Sequence, residues 1–193
     1  MSPGLATLAG MEIEIVRSAR RTKTVQATMV DGRLRIAVPA RLSPTEEAHW
    51  VESMTKRFER RLLTREIDLP GRARLLAERH GLPMPESIVW SDRQETRWGS
   101  CSVETGRIRL SRRLAGFPGW VVDYVVVHEL AHLVEASHSD RFWELVARYP
   151  LAERARGYLI GRSHAEGRGG EGGHEDADGP DGGAGFPSPP DGA

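Results

Sequence analysis

His128, Glu129 and His132 stand at i, i+1 and i+4 in the run Val125-Val126-Val127-His128-Glu129-Leu130-Ala131-His132-Leu133, and His138 follows six residues later. On a helix of 3.6 residues per turn, i and i+4 share one face. Two imidazoles can therefore aim at one point, with a carboxylate beside it. Zinc takes four tetrahedral ligands, and a catalytic zinc keeps one of the four places for water. His128, His132 and a third residue would fill the rest, and Glu129 would be the base that takes a proton from that water. This is the chemistry of a zinc-dependent hydrolase, with a peptide as the favoured substrate.

Short motifs need structural context. Pro118 suits a first helical turn, and Trp120 to Val134 contains Val121, Val122, Val125, Val126, Val127, Leu130, Leu133 and Val134. A helix apolar nearly all round is a buried one. The β-branched valines also permit a strand, on which the two histidines would stand about 13 Å apart. A polar triplet on a buried apolar element is costly unless something binds it, so a metal site is favoured over an accidental pair of core histidines.

His138 is the favoured third ligand. Its spacing is that of metzincins, but Glu135 holds the glycine position and no methionine follows Met84, so the chain is not one. Ser139 is a sound N-cap for a next helix, which would let the chain turn back between His132 and His138. Glu144 or Glu153 could instead supply a carboxylate ligand. Phe142, Leu145 and Val146 read as core packing on the metal helix.

Upstream, Thr96 to Ser102 and Arg107 to Ser111 flank Glu104-Thr105-Gly106 and read as a hairpin. Gly99 within a strand suggests close approach of another backbone or of substrate. Arg97, Trp98 and Tyr149 are candidates for holding substrate or its oxyanion, with no ground for choosing among them.

"RWGSCS" at Arg97 to Ser102, "IRLS" in the second hairpin arm, "VVVHELAHL" at Val125 to Leu133 and "HSDRFW" at His138 to Trp143 together resemble the YgjP-like metallopeptidases, relatives of the SprT-like and zincin families. The likeness extends over about residues 12 to 160. It implies an α+β fold: a compact zincin-like domain with a small N-terminal antiparallel sheet and a buried metal-binding helix. It also implies His128, His132 and His138 as zinc ligands and Glu129 as catalytic acid/base. Ser137 stands where the family often has Asn.

The elements that must position this site are legible in part. Ile13 and Ile15, then Val25, Ala27 and Met29, alternate with polar residues, and Asp31-Gly32 marks a tight turn before Leu34, Ile36 and Val38. Ser43, Pro44 and Glu46 form a capping-box start for a helix with Val51, Met54, Phe58 and Leu62 on one face, running to about Ile67. Pro70-Gly71 should break it, with a shorter helix from about Arg72 to His80 closing at Gly81. The expected organisation is an N-terminal extension at 1–10, the metallopeptidase domain at 11–160, and a tail at 161–193. Within the domain, 11–42 is a small β-sheet, 43–80 helical, 87–111 the hairpin region and 118–160 the metal-site helices.

At 193 residues and 39% hydrophobic composition there is material for one real core. The net charge of zero hides a split: residues 1–160 carry 25 basic and 20 acidic residues, and 161–193 carry two and seven. The latter segment, with 11 glycines and four prolines, cannot bury enough apolar surface to fold, and its His164 and His174 are read as unrelated to the metal. Basic clusters at Arg17, Arg20, Arg21 and Lys23, and at Lys56, Arg57, Arg60, Arg61 and Arg65, are read as solvated faces. Contact with nucleic acid is left open and not favoured. No signal peptide or membrane span is expected. One cysteine, Cys101, excludes an internal disulfide, suits a reducing compartment and reads as a buried strand thiol. The expectation is a cytoplasmic protein acting on a peptide or protein. The alternatives are hydrolysis of a nucleotide phosphoanhydride and a DNA-associated SprT-like binding module.

Overall fold

Asp31 and Gly32 both take positive φ, 49° and 78°, as the central residues of a type I′ turn must. They join β3 (Gln26–Val30) to β4 (Arg33–Pro39) with Val30 opposite Arg33. The computed structural model describes residues 5–8 and 11–166. These fall into two compact units, Met1–Leu62 and Leu63–Ala193.

In the first unit β2 (Met11–Ser18) pairs with β4 in parallel and with β1 (Leu5–Leu8) in antiparallel, giving the order β1-β2-β4-β3. The expected N-terminal sheet is present, but it is mixed rather than wholly antiparallel. Alternation reveals which face of a strand is buried, not which strand lies beside it. Residues 19–32 are long enough for the crossover that parallel pairing needs, about a dozen residues. β1 lies within the stretch expected to be an extension. Ile13, Leu34, Ile36 and Val38 form the core, with Val51, Met54 and Phe58 packed on it.

α1 (Pro44–Arg65) opens on the expected capping box. The Ser43 N–H donates to Glu46 Oε2 at 2.8 Å, and the Glu46 N–H donates to Ser43 Oγ at 3.3 Å. Three residues of the basic clusters have partners at close range: Arg17 with Glu47 at 2.7 Å, Arg21 with Gln26 at 2.7 Å, and Lys56 with Glu52 at 2.5 Å. That agrees with solvated faces.

In the second unit Pro70-Gly71 opens a helix instead of breaking one. α2 runs Leu69–His80, with Asp68 as N-cap accepting from the Gly71 N–H at 3.0 Å. Proline is tolerated in a first turn, where its missing N–H has no intrahelical acceptor, so the start falls before the residues read as a stop. The hairpin of β6 (Gly99–Ser102) and β7 (Arg107–Ser111) forms as expected, and β5 (Ser87–Ser91) pairs in parallel on the other side of β7. β7 is thus central and β6 is an edge. Ile108 and Leu110 point inward and are fully buried, while Arg107 and Arg109 point outward.

α3 (Gly119–His132) runs through the middle of this unit, packed by α2, α4 (Asp140–Val146), α5 (Ala152–Ala165) and β6. Pro118 is its N-cap, one residue outside the expected first turn. Val121, Val122, Val125, Val126, Val127 and Leu130 are all buried, each worth roughly 1.5–3 kcal/mol over exposure. Phe142, Leu145 and Val146 belong to the same core, as expected. α5 continues past the expected boundary at 160 to Ala165 and places His164 on its last turn. Its chain pairs onward, since Glu166 meets Arg113. The remainder of the expected tail, with His174, lies outside the described residues. Among the described residues no helix is long and apolar enough to cross a membrane.

Candidate metal centre

α3 carries His128, Glu129 and His132 into the core, where they are 1%, 1% and 6% exposed. The i, i+4 spacing sets the two rings 5.0 Å apart. The helix ends at His132, and residues 133–138 bring the chain back. Among the described residues Asp31 alone of the non-glycines has positive φ, so the turn through Ser137 needs no left-handed residue. Ser137 Oγ instead donates to Glu135 Oε1 at 2.8 Å. Ser139 caps α4, its Oγ accepting from the Phe142 N–H at 3.4 Å.

The return delivers His138 to the pair. One nitrogen from each of His128, His132 and His138 lies within 4.8 Å of the others, and the Nε2 atoms of His128 and His138 are 3.3 Å apart. Glu144 and Glu153 are exposed and are not part of the cluster; Glu153 faces Arg156 at 3.9 Å.

Aromatic rings fix the imidazoles. Phe142 stacks on His132 at 4.4 Å and meets His128 and His138 edge-on at 4.8 and 4.7 Å. Trp143 stacks on His138 at 5.6 Å, with the Arg156 guanidinium over its ring at 5.0 Å. The main chain adds a tautomer lock. His132 Nδ1 lies 3.2 Å from the Glu135 carbonyl oxygen, which can only accept, so Nδ1 carries the proton and Nε2 holds a bare lone pair. His132 Nε2 is buried without a hydrogen-bond partner. A second interaction that orients a ring in this way is the usual companion of a metal-binding histidine.

Burial governs the charges. It pushes His132 down to about 4, aided by the neighbouring His138, and lowers His128 well below the ordinary histidine range. Both are neutral near pH 7, as metal ligation requires. Burial raises Glu129 to about 8, against the opposing pull of Arg97. Its Oε2 also lacks a hydrogen-bond partner. Each such orphan costs about 1–3 kcal/mol. Three converging imidazoles, two of them buried and neutral and one of these with a bare lone pair, next to an unsatisfied carboxyl group, fit a divalent cation in their midst.

Gly99 explains the near side. A Cβ there would overlap Glu129 Oε1 and stand 2.7 Å from its Cδ, so what approaches this glycine is the Glu129 side chain rather than the backbone or substrate expected there. Of the three candidates for substrate contact, two have structural duties. Trp98 is 2% exposed, packed on Phe117 and beneath the Arg113 guanidinium at 3.9 Å. The Tyr149 hydroxyl donates to the Trp120 carbonyl at 2.9 Å. Arg97 alone acts on Glu129. Cys101 is buried, as expected, and burial pushes its thiol up to about 12, far from a reactive thiolate. Sequence reasoning missed the Glu135 carbonyl, which has no side-chain signature, and the stacking role of Trp143.

The family model for the YgjP-like metallopeptidase domain matches residues 8–159. No curated protein matches the chain. Among solved structures, the crystal structure of the metallopeptidase zymogen of Pyrococcus abyssi abylysin aligns at 22% identity and a TM-score of 0.43, covering 50% of this chain and 91% of that one.

Proposed function

The chain belongs to the YgjP-like metallopeptidase domain family, and from that premise we propose that it is a zinc-dependent peptidase in which His128, His132 and His138 hold the ion and Glu129 moves the proton. One observation carries the reading: three imidazole nitrogens converge within 4.8 Å beside a carboxylate that is 1% exposed. Nitrogens about 2.0–2.1 Å from one tetrahedral zinc stand roughly 3.3–3.4 Å apart, which the 3.3 Å between His128 and His138 supports. Imidazole donors also suit zinc over magnesium or calcium, which prefer oxygen.

A bound divalent ion supplies Lewis acidity, making water a stronger nucleophile and drawing electron density from a carbonyl. The protein does the rest. Glu129 accepts the proton of the attacking water on its carboxylate and returns it to the leaving amine nitrogen. Burial makes it a stronger base than an exposed glutamate, and a bound divalent cation would favour its ionised form for the task. An extended peptide adds to the free edge of β6 by main-chain hydrogen bonds, and Gly99 lets it come close to Glu129.

Elemental analysis and hydrolysis of denatured casein test this. Glu129→Gln is expected to retain one zinc per chain and lose on the order of a thousandfold in rate. His138→Ala is expected to release the metal. Full turnover by Glu129→Gln would overturn the proton role.

A further inference from the structure

The pattern Arg-x-Arg occurs on the central strand of both sheets, with both arginines facing outward. On β4, Arg33 meets Glu12 at 2.6 Å and Arg35 meets Glu14 at 2.9 Å. Those acids sit on the neighbouring β2, where Glu14 lies directly opposite Arg35. On β7 the corresponding neighbours are not acidic. Arg107 stands between Ser87 and Ser102, and Arg109 between Val89 and Ser100. Among the described residues neither guanidinium forms an ion pair. Both are exposed, and together they line a cleft of about 350 Å³ with Glu86, Ser87, Val89 and Ile108.

Guanidinium groups are built for carboxylate and phosphate recognition; here the strands beside β7 offer no acid opposite them, and Glu86 at the cleft's rim is a single carboxylate for two guanidiniums, with no ion pair to either among the described residues. The register says where it would come from. Directly opposed residues of neighbouring strands point to the same face, so Ser100 and Ser102 share the outer face with Arg109 and Arg107. A peptide added along β6 would place every second side chain on that face, beside the two serines. Strands lie about 4.8 Å apart, so those side chains are two strands from β7. Ser102 is short, and the long Arg107 can lean across it, as long side chains do to diagonal neighbours; at Ser100, Arg109 must reach past Gln94, whose Nε2 donates to Ser100 Oγ at 2.5 Å. Because Glu129 abuts Gly99 at the start of β6, Ser100 and Ser102 both lie on one side of the point of cleavage.

We infer that Arg107 and Arg109 select substrates with acidic side chains at two alternate positions on one side of the scissile bond. This deepens the peptidase reading and rests on β6 as the docking edge.

The test uses the full chain loaded with zinc. Cleavage-site profiling on a random peptide mixture reads the preference at each position. kcat/KM is then measured for matched peptides carrying Glu, Gln or Lys at the two positions. Glu is expected to exceed Gln by about tenfold at low ionic strength, and the margin should shrink as salt rises. Arg107→Ser with Arg109→Ser should bring the ratio near one, and the double change to Glu should favour the Lys peptide. Both positions are exposed, and thermal melts establish that the variants fold. A second arm measures binding of fluorescent Glu and Gln peptides, and of an oligothymidylate, to zinc-loaded Glu129→Gln. Cleavage without acidic preference overturns this inference and leaves the peptidase reading standing. Acidic preference in binding with no cleavage of any peptide supports the arginine site and overturns the peptidase reading. Salt-sensitive binding of the oligothymidylate that depends on the two arginines, with no preference for Glu peptides, assigns the cleft to nucleic acid and overturns the inference.

Discussion

The N-terminal sheet unit and the helical unit after it treat polar groups in opposite ways. In the first, the charges on the outer face of the sheet are matched, Arg33 and Arg35 with Glu12 and Glu14. Its core cluster holds Ile13, Leu34, Ile36 and Val38 and nothing ionisable. In the second, His128, Glu129 and His132 are buried in the core, Glu129 Oε2 and His132 Nε2 lack hydrogen-bond partners, and among the described residues the outward Arg107 and Arg109 form no ion pair, with no acid opposite them on the neighbouring strands. Satisfied polarity at the surface serves folding. Unsatisfied polarity in a core opposes it by about 1–3 kcal/mol per group, and it persists where a ligand completes it. The contrast separates scaffold from site without reference to any relative.

The largest effect expected from that contrast is on stability against pH. In the chelated protein, Glu129 keeps its proton up to about 8 in the folded state but loses it near 4.5 when unfolded. Between these values the folded state binds more protons, so stability falls as pH rises through the window, by several kcal/mol in all. His132 works the other way between its folded value of about 4 and about 6.5, where the unfolded state binds more protons. The two slopes offset each other below about 6.5, and the loss from there to about 8 stands alone. Glu129→Gln removes it, so thermal melts of chelated variant and wild type should diverge as pH climbs to 8. Parallel curves would show that the carboxyl group is not buried as described.

Next in size is Gly99→Ala. The added methyl group must displace Glu129 or β6, and a misplacement of about 1 Å costs roughly a hundredfold in rate. Zinc content should stay at one per chain, because no ligand is touched. A variant with ordinary activity would mean that the approach of β6 to Glu129 is loose.

The smallest belongs to the first unit. Ser43→Ala breaks the capping box and should lower stability by about 1 kcal/mol, read by urea denaturation. Hydrolysis per folded molecule should not change. A loss of kcat there would break the division between scaffold and site.

Much of this was legible from local chemistry. Ser43-Pro44 with Glu46, Asp31-Gly32, Gly81 and the capping Ser139 each announce an element end through their own hydrogen bonds or dihedrals. The i, i+4 histidines announced their shared face. What stayed hidden depends on distant partners. The parallel pairings of β2 with β4 and β5 with β7 leave no trace in alternation, because a strand's pattern encodes its faces and not its neighbours. Pro70-Gly71 misleads when read as a stop, because the same pair can end a helix or, with Asp68 before it, begin one. Arg97, Trp98 and Tyr149 looked equivalent until packing gave two of them other duties. The RIRL of β7 read only as a hairpin arm, since the missing acid is a property of the strands on either side.

The contact between His132 Nδ1 and the Glu135 carbonyl has a further consequence. Its acceptor is an atom that every amino acid carries, so replacing the residue at 135 leaves the steering intact. Substitution scanning along this turn would pass over it in silence. Inserting or deleting a single residue between 132 and 138 would not, because that swings the oxygen away and frees the imidazole to spin. The ring's bearing is written in chain length rather than in chemistry.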